Sequence, residues 1–166
     1  LRRQSVYMND IYQVNAQLTY DTVGEHQVQI TTANGVFEQT VRIAETAPAL
    51  FPAASLVHAS GALITAEAPA EPDETILIYL TGLGRVTGDA QAGVASPSSP
   101  PAAVRAPVEV QIAGQALRPA FAGLAPGFVG LYQLNVRLPA GLARANHPVR
   151  VVAGNATSNA VTLAVG

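Results

Sequence analysis

Apolar and polar residues alternate with period two at Tyr12-Gln13-Val14-Asn15-Ala16-Gln17-Leu18, at His26-Gln27-Val28-Gln29-Ile30 and at Thr40-Val41-Arg42-Ile43. A period of two is that of a strand with one face buried and the other in water. The same reading predicts strands over residues 62–65, 74–81, 108–112, 117–123, 130–138, 148–153 and 160–165. Thr75-Ile76-Leu77-Ile78-Tyr79-Leu80 is apolar on both faces, as a strand inside a sheet would be. Twelve Pro and fourteen Gly, scattered along the chain, cut it into short segments that leave little room for helices. Between Gly82 and Val108 the pattern stops in a stretch rich in Gly, Ala, Ser and Pro. That stretch is expected to be a long exposed loop, with residues 96–101 the preferred site of proteolysis.

An internal likeness organises these segments. Ile11-Tyr12-Gln13-Val14-Asn15-Ala16-Gln17-Leu18 matches Leu131-Tyr132-Gln133-Leu134-Asn135-Val136-Arg137-Leu138 at a displacement of 120 (131 − 11), and Val41-Arg42-Ile43-Ala44 matches Val161-Thr162-Leu163-Ala164 at the same displacement. Asn34-Gly35 and Gly154-Asn155 fall at corresponding hairpin turns, where Gly and Asn tolerate positive φ. The expected architecture is all-β: one complete immunoglobulin-like sandwich unit over residues 46–166, and over residues 1–45 the closing strands of a preceding homologous unit. A short hinge at Ala47-Pro48 separates them.

A partial unit has a physical consequence. Its inward residues, Val14, Ala16 and Leu18 among them, lack an opposing layer, and its strand edges lack partners. These three are therefore the candidate assembly residues. The expected partner is protein, including another copy of the chain, either as a homo-oligomer or as a filament built by strand addition.

Composition narrows the alternatives. The 166 residues carry a net charge of -2 with only 12% charged side chains, and all nine basic residues are Arg. No electrostatic footprint for nucleic acid or an anionic bilayer results. There is no cysteine, which removes disulfides, thiolate nucleophiles and cysteine-based metal sites together. No apolar run reaches the roughly 18 residues of a membrane span. The opening Leu1-Arg2-Arg3-Gln4 has neither an initiator Met nor a signal-peptide core, and reads as a processed product or part of something longer.

Candidate chemistry is sparse. His26, His58 and His147 have no catalytic partner nearby in sequence, and His26 and His147 sit at similar strand starts, so a structural role is expected for them. Glu71, Asp73 and Glu74 could offer oxygens to Ca²⁺, but their spacing fits no calcium loop and a solvated turn is the plainer reading. Gly82-Leu83-Gly84 lacks the third Gly and helix start of a phosphate loop and reads as a strand exit. No Gly-x-Ser-x-Gly elbow occurs, and Asn155-Ala156-Thr157 is a glycosylation sequon of the kind chance produces. Tyr12 and Tyr132 are expected to point inward with their hydroxyls on backbone groups. The chain is thus expected to be a non-enzyme without a cofactor or metal. A carbohydrate-binding module would need flat exposed aromatics, and five Tyr and four Phe supply few.

Three segments carry a resemblance: Ala47-Pro48-Ala49-Leu50-Phe51, Leu80-Thr81-Gly82-Leu83-Gly84, and Phe121-Ala122-Gly123-Leu124-Ala125-Pro126-Gly127-Phe128-Val129-Gly130-Leu131-Tyr132-Gln133-Leu134-Asn135-Val136. Together they resemble the uncharacterised C-terminal domain family first described from Solibacter and other acidobacteria. That resemblance implies tandem Ig-like units at the end of large exported proteins, hence a secreted or cell-surface location and a structural or adhesive role. It implies no enzymatic activity.

Overall fold

The computed structural model describes residues 16–166, and among them every regular element is a β-strand. Twelve strands form one isolated two-stranded ribbon and two five-stranded sheets, all antiparallel apart from one bridge, Ala70 to Val165. The ribbon is β1 (Gly24–Thr32) and β2 (Gly35–Ile43). The first sheet holds β3 (Ala49–Leu50), β4 (Leu56–His58), β5 (Thr75–Thr81), β8 (Phe121–Leu124) and β9 (Tyr132–Arg137). The second holds β6 (Val108–Ile112), β7 (Gln115–Leu117), β10 (Asn146–Ala153), β11 (Ala156–Thr157) and β12 (Val161–Ala164).

The core lies between the two sheets, and alternation explains why. Ile76, Ile78 and Leu80 of β5 with Leu134 and Val136 of β9 come from one sheet; Val110 and Ile112 of β6, Val149 and Val151 of β10 and Leu163 of β12 come from the other. All of these are fully or almost fully buried, and the polar residues between them in β6 and β10 face water. The result is an aliphatic sandwich-like body over residues 46–166. Within it β5 is an interior strand, flanked by β9 on one side and by β3 and β4 on the other.

Several expectations need correction. The strand predicted over 117–123 is two strands in different sheets: β7 pairs with β6, then the chain crosses at Arg118-Pro119-Ala120 and β8 pairs with β9. Pro119 lacks the N–H a continuous ladder would use. No strand forms over 62–65, where Leu63 makes only an isolated bridge to Val57. The Tyr12–Leu18 strand lies mostly outside the described residues, and residues 16–18 are not in a strand. The stretch from Gly82 to Val108 is not a free loop: Leu83, Val86, Ala102 and Ser96 are buried, and Val86 bridges Val104. Ser96 N–H donates to Phe128 O at 2.9 Å, and Gly127 N–H donates back to Ser96 O at 2.9 Å, so of the predicted cleavage site only residues 97–101 are exposed.

Candidate interaction surface

The most unusual surface is the ribbon. Its register pairs His26 with Val41, Val28 with Gln39, Ile30 with Phe37 and Gly24 with Ile43, so these residues share one face. Glu25–Arg42, Gln27–Thr40, Gln29–Glu38 and Thr31–Val36 share the other, where Gln29 Nε2 donates to Glu38 Oε1 at 2.5 Å. One face is thus apolar around Val28, Ile30, Phe37, Val41 and Ile43, and nothing among the described residues covers its outer part. Val28, Ile30 and Phe37 are exposed, Phe37 at 57%, and only Val41 and Ile43 near the base are half-buried. A lone two-stranded ribbon with one naked apolar face is marginal in water unless something packs on it.

The β10–β11–β12 hairpin shows the same pattern with the face covered. His147-Pro148-Val149-Arg150-Val151 in β10 repeats the spacing of His26-Gln27-Val28-Gln29-Ile30, now at a displacement of 121 (147 − 26). Both turns have two residues, Ala33-Asn34 and Gly154-Asn155, so the ribbon's turn sits one residue earlier than Asn34-Gly35. The returning strands differ. In the ribbon the ladder is unbroken, whereas Val152 pairs with Thr157 and Val149 with Val161, which leaves one extra residue on the return of the covered hairpin. By ladder position Val41 therefore corresponds to Leu163, opposite His26 and His147 respectively, two residues away from the sequence match to Val161.

That bulge is built for a purpose the sequence pattern hides. Ser158 Oγ accepts from Val151 N–H at 2.9 Å and donates to Asn159 O at 2.6 Å, which turns the chain outward. Asn159 then clasps the first sheet: its Oδ1 accepts from Leu50 N–H at 2.8 Å and its Nδ2 donates to Leu50 O at 3.0 Å. The ribbon has no such clasp.

A built junction joins ribbon to sandwich. Tyr20 stacks edge-on against Tyr132, with ring centroids 6.4 Å apart and planes at 89°. Tyr132 is buried and its hydroxyl donates to Gly84 O at 2.5 Å; burial, with a smaller contribution from Tyr20, pushes its pKa far up. Gln17 donates to the Tyr20 hydroxyl at 2.9 Å and accepts from Gly93 N–H at 2.8 Å. Further on, Ala47 N–H donates to Gly82 O at 2.8 Å, and Thr46 Oγ1 to Ala153 O at 2.8 Å. Gly82 and Gly84 have φ of 81° and 79°, and a Cβ on them would collide with the carbonyls of Ala47 and Glu45. Their glycines admit the linker backbone and do not cradle a phosphate.

Of the sequence-predicted assembly residues, Val14 lies outside the described residues. Ala16 and Leu18 are exposed, Leu18 at 53%, on the segment leading into Tyr20. The larger apolar exposure is on the ribbon, which the alternation at 26–30 and 40–43 signalled. Tyr20 and Asn159 had no sequence signal, because their partners lie far away along the chain.

The histidines and the acidic trio are engaged in local structure. His58 Nδ1 lies 2.7 Å from Glu74 Oε1 and Nε2 3.2 Å from Ala68 O; the bond to Glu74 raises its pKa, against a smaller opposing effect of burial. His26 and His147 each meet a backbone carbonyl a turn earlier, Val23 O at 3.0 Å and Ala143 O at 2.7 Å. The acidic trio is spread over separate partners: Asp73 binds Arg137 through two bonds of 2.8 and 2.7 Å, Glu71 lies 3.3 Å from Arg144, and Glu74 meets His58. The Arg137 bonds hold the Asp73 carboxyl below its usual value. An open cleft of about 430 Å³ beside Tyr20 carries Arg85, Arg105 and Asp21. Asp21 is held below the usual carboxylate value by hydrogen bonding from Thr19 and its own backbone, and then by the charge of Arg85. No family model, curated protein or solved structure matches this chain.

Proposed function

We propose that this chain is a non-enzymatic Ig-like structural module of an exported or cell-surface bacterial protein, serving as a spacer or adhesive element. The observation that carries this reading is the pairing of a closed aliphatic sandwich with an open amphipathic ribbon of matching strand pattern, as consecutive units of a tandem array would present. The engagement of His26, His58 and His147 in backbone or carboxylate contacts also favours structural over catalytic roles for them. The resemblance of the 121–136 segment to the acidobacterial C-terminal family supports the exported location.

A second reading, a self-assembling extracellular fibre subunit completed by a neighbour's strands, is favoured by the naked face of Val28, Ile30 and Phe37. Light scattering on the purified chain separates the two. A module gives a mass that stops growing as concentration rises, either the 17.1 kDa monomer or a small closed multiple of it. A fibre subunit gives a mass that keeps climbing.

A further inference from the structure

We propose that the free edge of β1 is a self-association surface, along which residues 26–32 pair antiparallel with the same residues of a second copy of this chain about a two-fold axis through Gln29. The inference rests on reading the ribbon as an open partial unit, and does not depend on export or adhesion.

Among the described residues the edge is open and unguarded. There β1 pairs with β2 on one side only, and no other described strand lies beside its second row of N–H and C=O groups. Exposed edges are normally blunted by charge, and between His26 and Thr32 β1 has none: Gln27, Gln29 and Thr31 alternate with Val28 and Ile30. The opposite strand β2 does carry charges, Glu38 and Arg42. An arriving strand would therefore settle on β1.

The covered hairpin supplies the register. There the equivalent edge of β10 is occupied by β6, with Val149 opposite Ile112, Arg150 opposite Gln111, Val151 opposite Val110, Val152 opposite Glu109 and Ala153 opposite Val108. At the displacement of 121, Val149–Ala153 of β10 becomes residues 28–32 of β1. Glu109-Val110-Gln111-Ile112 of β6 in turn resembles Gln27-Val28-Gln29-Ile30 of β1 itself, at a displacement of 82 (111 − 29). Substituting both into the β10–β6 ladder places Val28 opposite Ile30, Gln29 opposite Gln29, Ile30 opposite Val28, Thr31 opposite Gln27 and Thr32 opposite His26. Like any antiparallel pairing of a strand with itself the transferred register is two-fold symmetric, and its axis falls at Gln29, inside the segment.

The likeness of β1 to β6 favours the second copy over a foreign strand, because one sequence then serves as both acceptor and donor. Within this chain β6 is already paired on both sides, by β10 and β7, and cannot be lent. The seam sets amide and hydroxyl side chains against one another on the polar face, and Val28 against Ile30 and His26 against Thr32 on the other, with no pair of like-charged carboxylates or guanidinium groups. The product is a four-stranded sheet in the order β2-β1-β1-β2. It is isologous and closed, so it stops at a dimer. The ladder is short beside the roughly 1,200–2,000 Å² of a standard interface, so the dimer is weak and depends on concentration.

The chain has no cysteine, so one introduced thiol reports one contact. Gln29→Cys places two thiols opposite each other across the axis at disulfide range, and under a glutathione redox buffer it is expected to form a covalent dimer about tenfold faster than Glu38→Cys on β2. Light scattering on the unsubstituted chain is expected to rise from 17.1 kDa toward twice that value as concentration increases. The double variant Gln27→Lys/Gln29→Lys should move this rise to about tenfold higher concentration while the thermal unfolding of the sandwich stays unchanged. A monomer at every concentration, or equal cross-linking at positions 29 and 38, overturns the proposal while leaving the structural-module reading standing. A dimer that survives the double variant but is lost in Phe37→Ser assigns the contact to stacked apolar faces and overturns it too. Mass that grows without limit overturns it in favour of the fibre.

Discussion

The ribbon and the β10–β11–β12 hairpin share a strand spacing, a two-residue turn and a His at the start, yet one is bare and the other lies at the centre of a core. Val151 is fully buried while its counterpart Ile30 is 38% exposed. The difference does not come from the strands themselves, whose alternation is equivalent. It comes from what lies beside them: β6 on the edge of β10, the β5–β9 sheet across its face, and the Asn159 clasp on its return strand. A β-pattern therefore specifies which face will be buried without supplying the layer that buries it.

The comparison is broken most directly by placing the same charge in both positions. Val151→Asp buries an unpaired carboxyl in the core and is expected to cost about 4 kcal/mol or more, enough to unfold the sandwich, whereas Ile30→Asp is expected to change its stability by no more than about 0.5 kcal/mol. Urea titrations followed by circular dichroism measure both, and equal losses would end the distinction. Next in size is the junction: Gly82→Ala forces a side chain against the Ala47 carbonyl at positive φ, for an expected loss of about 3 kcal/mol in the same titration.

Asn159→Ala removes two hydrogen bonds to Leu50 and makes the covered hairpin more like the ribbon; a loss of about 1–2 kcal/mol is expected, with faster hydrogen exchange at the Leu50 amide. His58 gives a smaller effect. Its pKa is raised in the folded state by Glu74, so its stabilisation is complete below the unfolded value near 6.5 and is lost as pH climbs through the raised folded value. The amplitude is expected to be under about 1 kcal/mol, and a His58→Gln variant should show a flatter stability curve across that window. Last, Ala113 has φ of 50° in the two-residue turn between β6 and β7, where Asn is better suited; Ala113→Asn should stabilise the chain by about 0.5–1 kcal/mol, seen as a raised melting temperature.

Legibility followed the same line between local pattern and distant partner. The strands β6, β9, β10 and β12 were readable because each alternates over several residues against a continuous neighbour, and β5 because it is an unbroken apolar run bounded by turn residues. The sheet switch at Pro119 was not, because apolar residues continue on both sides of it and period two does not say which sheet they enter. The burial of Leu83, Val86 and Ala102 was also hidden, since single bridges leave no period in the sequence. Of the candidate surface, the amphipathic strands of the ribbon were visible, but the exposure of Phe37 and the docking of Tyr20 depend on partners in space. Tyr132 was anticipated correctly as an inward residue with its hydroxyl on a backbone carbonyl.

The Asn159 clasp also bears on how the sandwich would respond to a mechanical load. It ties Leu50, in the first strand of the sandwich, to a point just before the last strand, and the Ala70 N–H and carbonyl bind Ala164 O and the Gly166 N–H at 2.9 Å each. Tension applied between Pro48 and Gly166 would meet these few bonds before it reached the aliphatic layer between the sheets. The sandwich would then yield first at its perimeter, peeling β3 and β12 while β5, β6, β9 and β10 held together, and could re-form from that retained core when the tension fell.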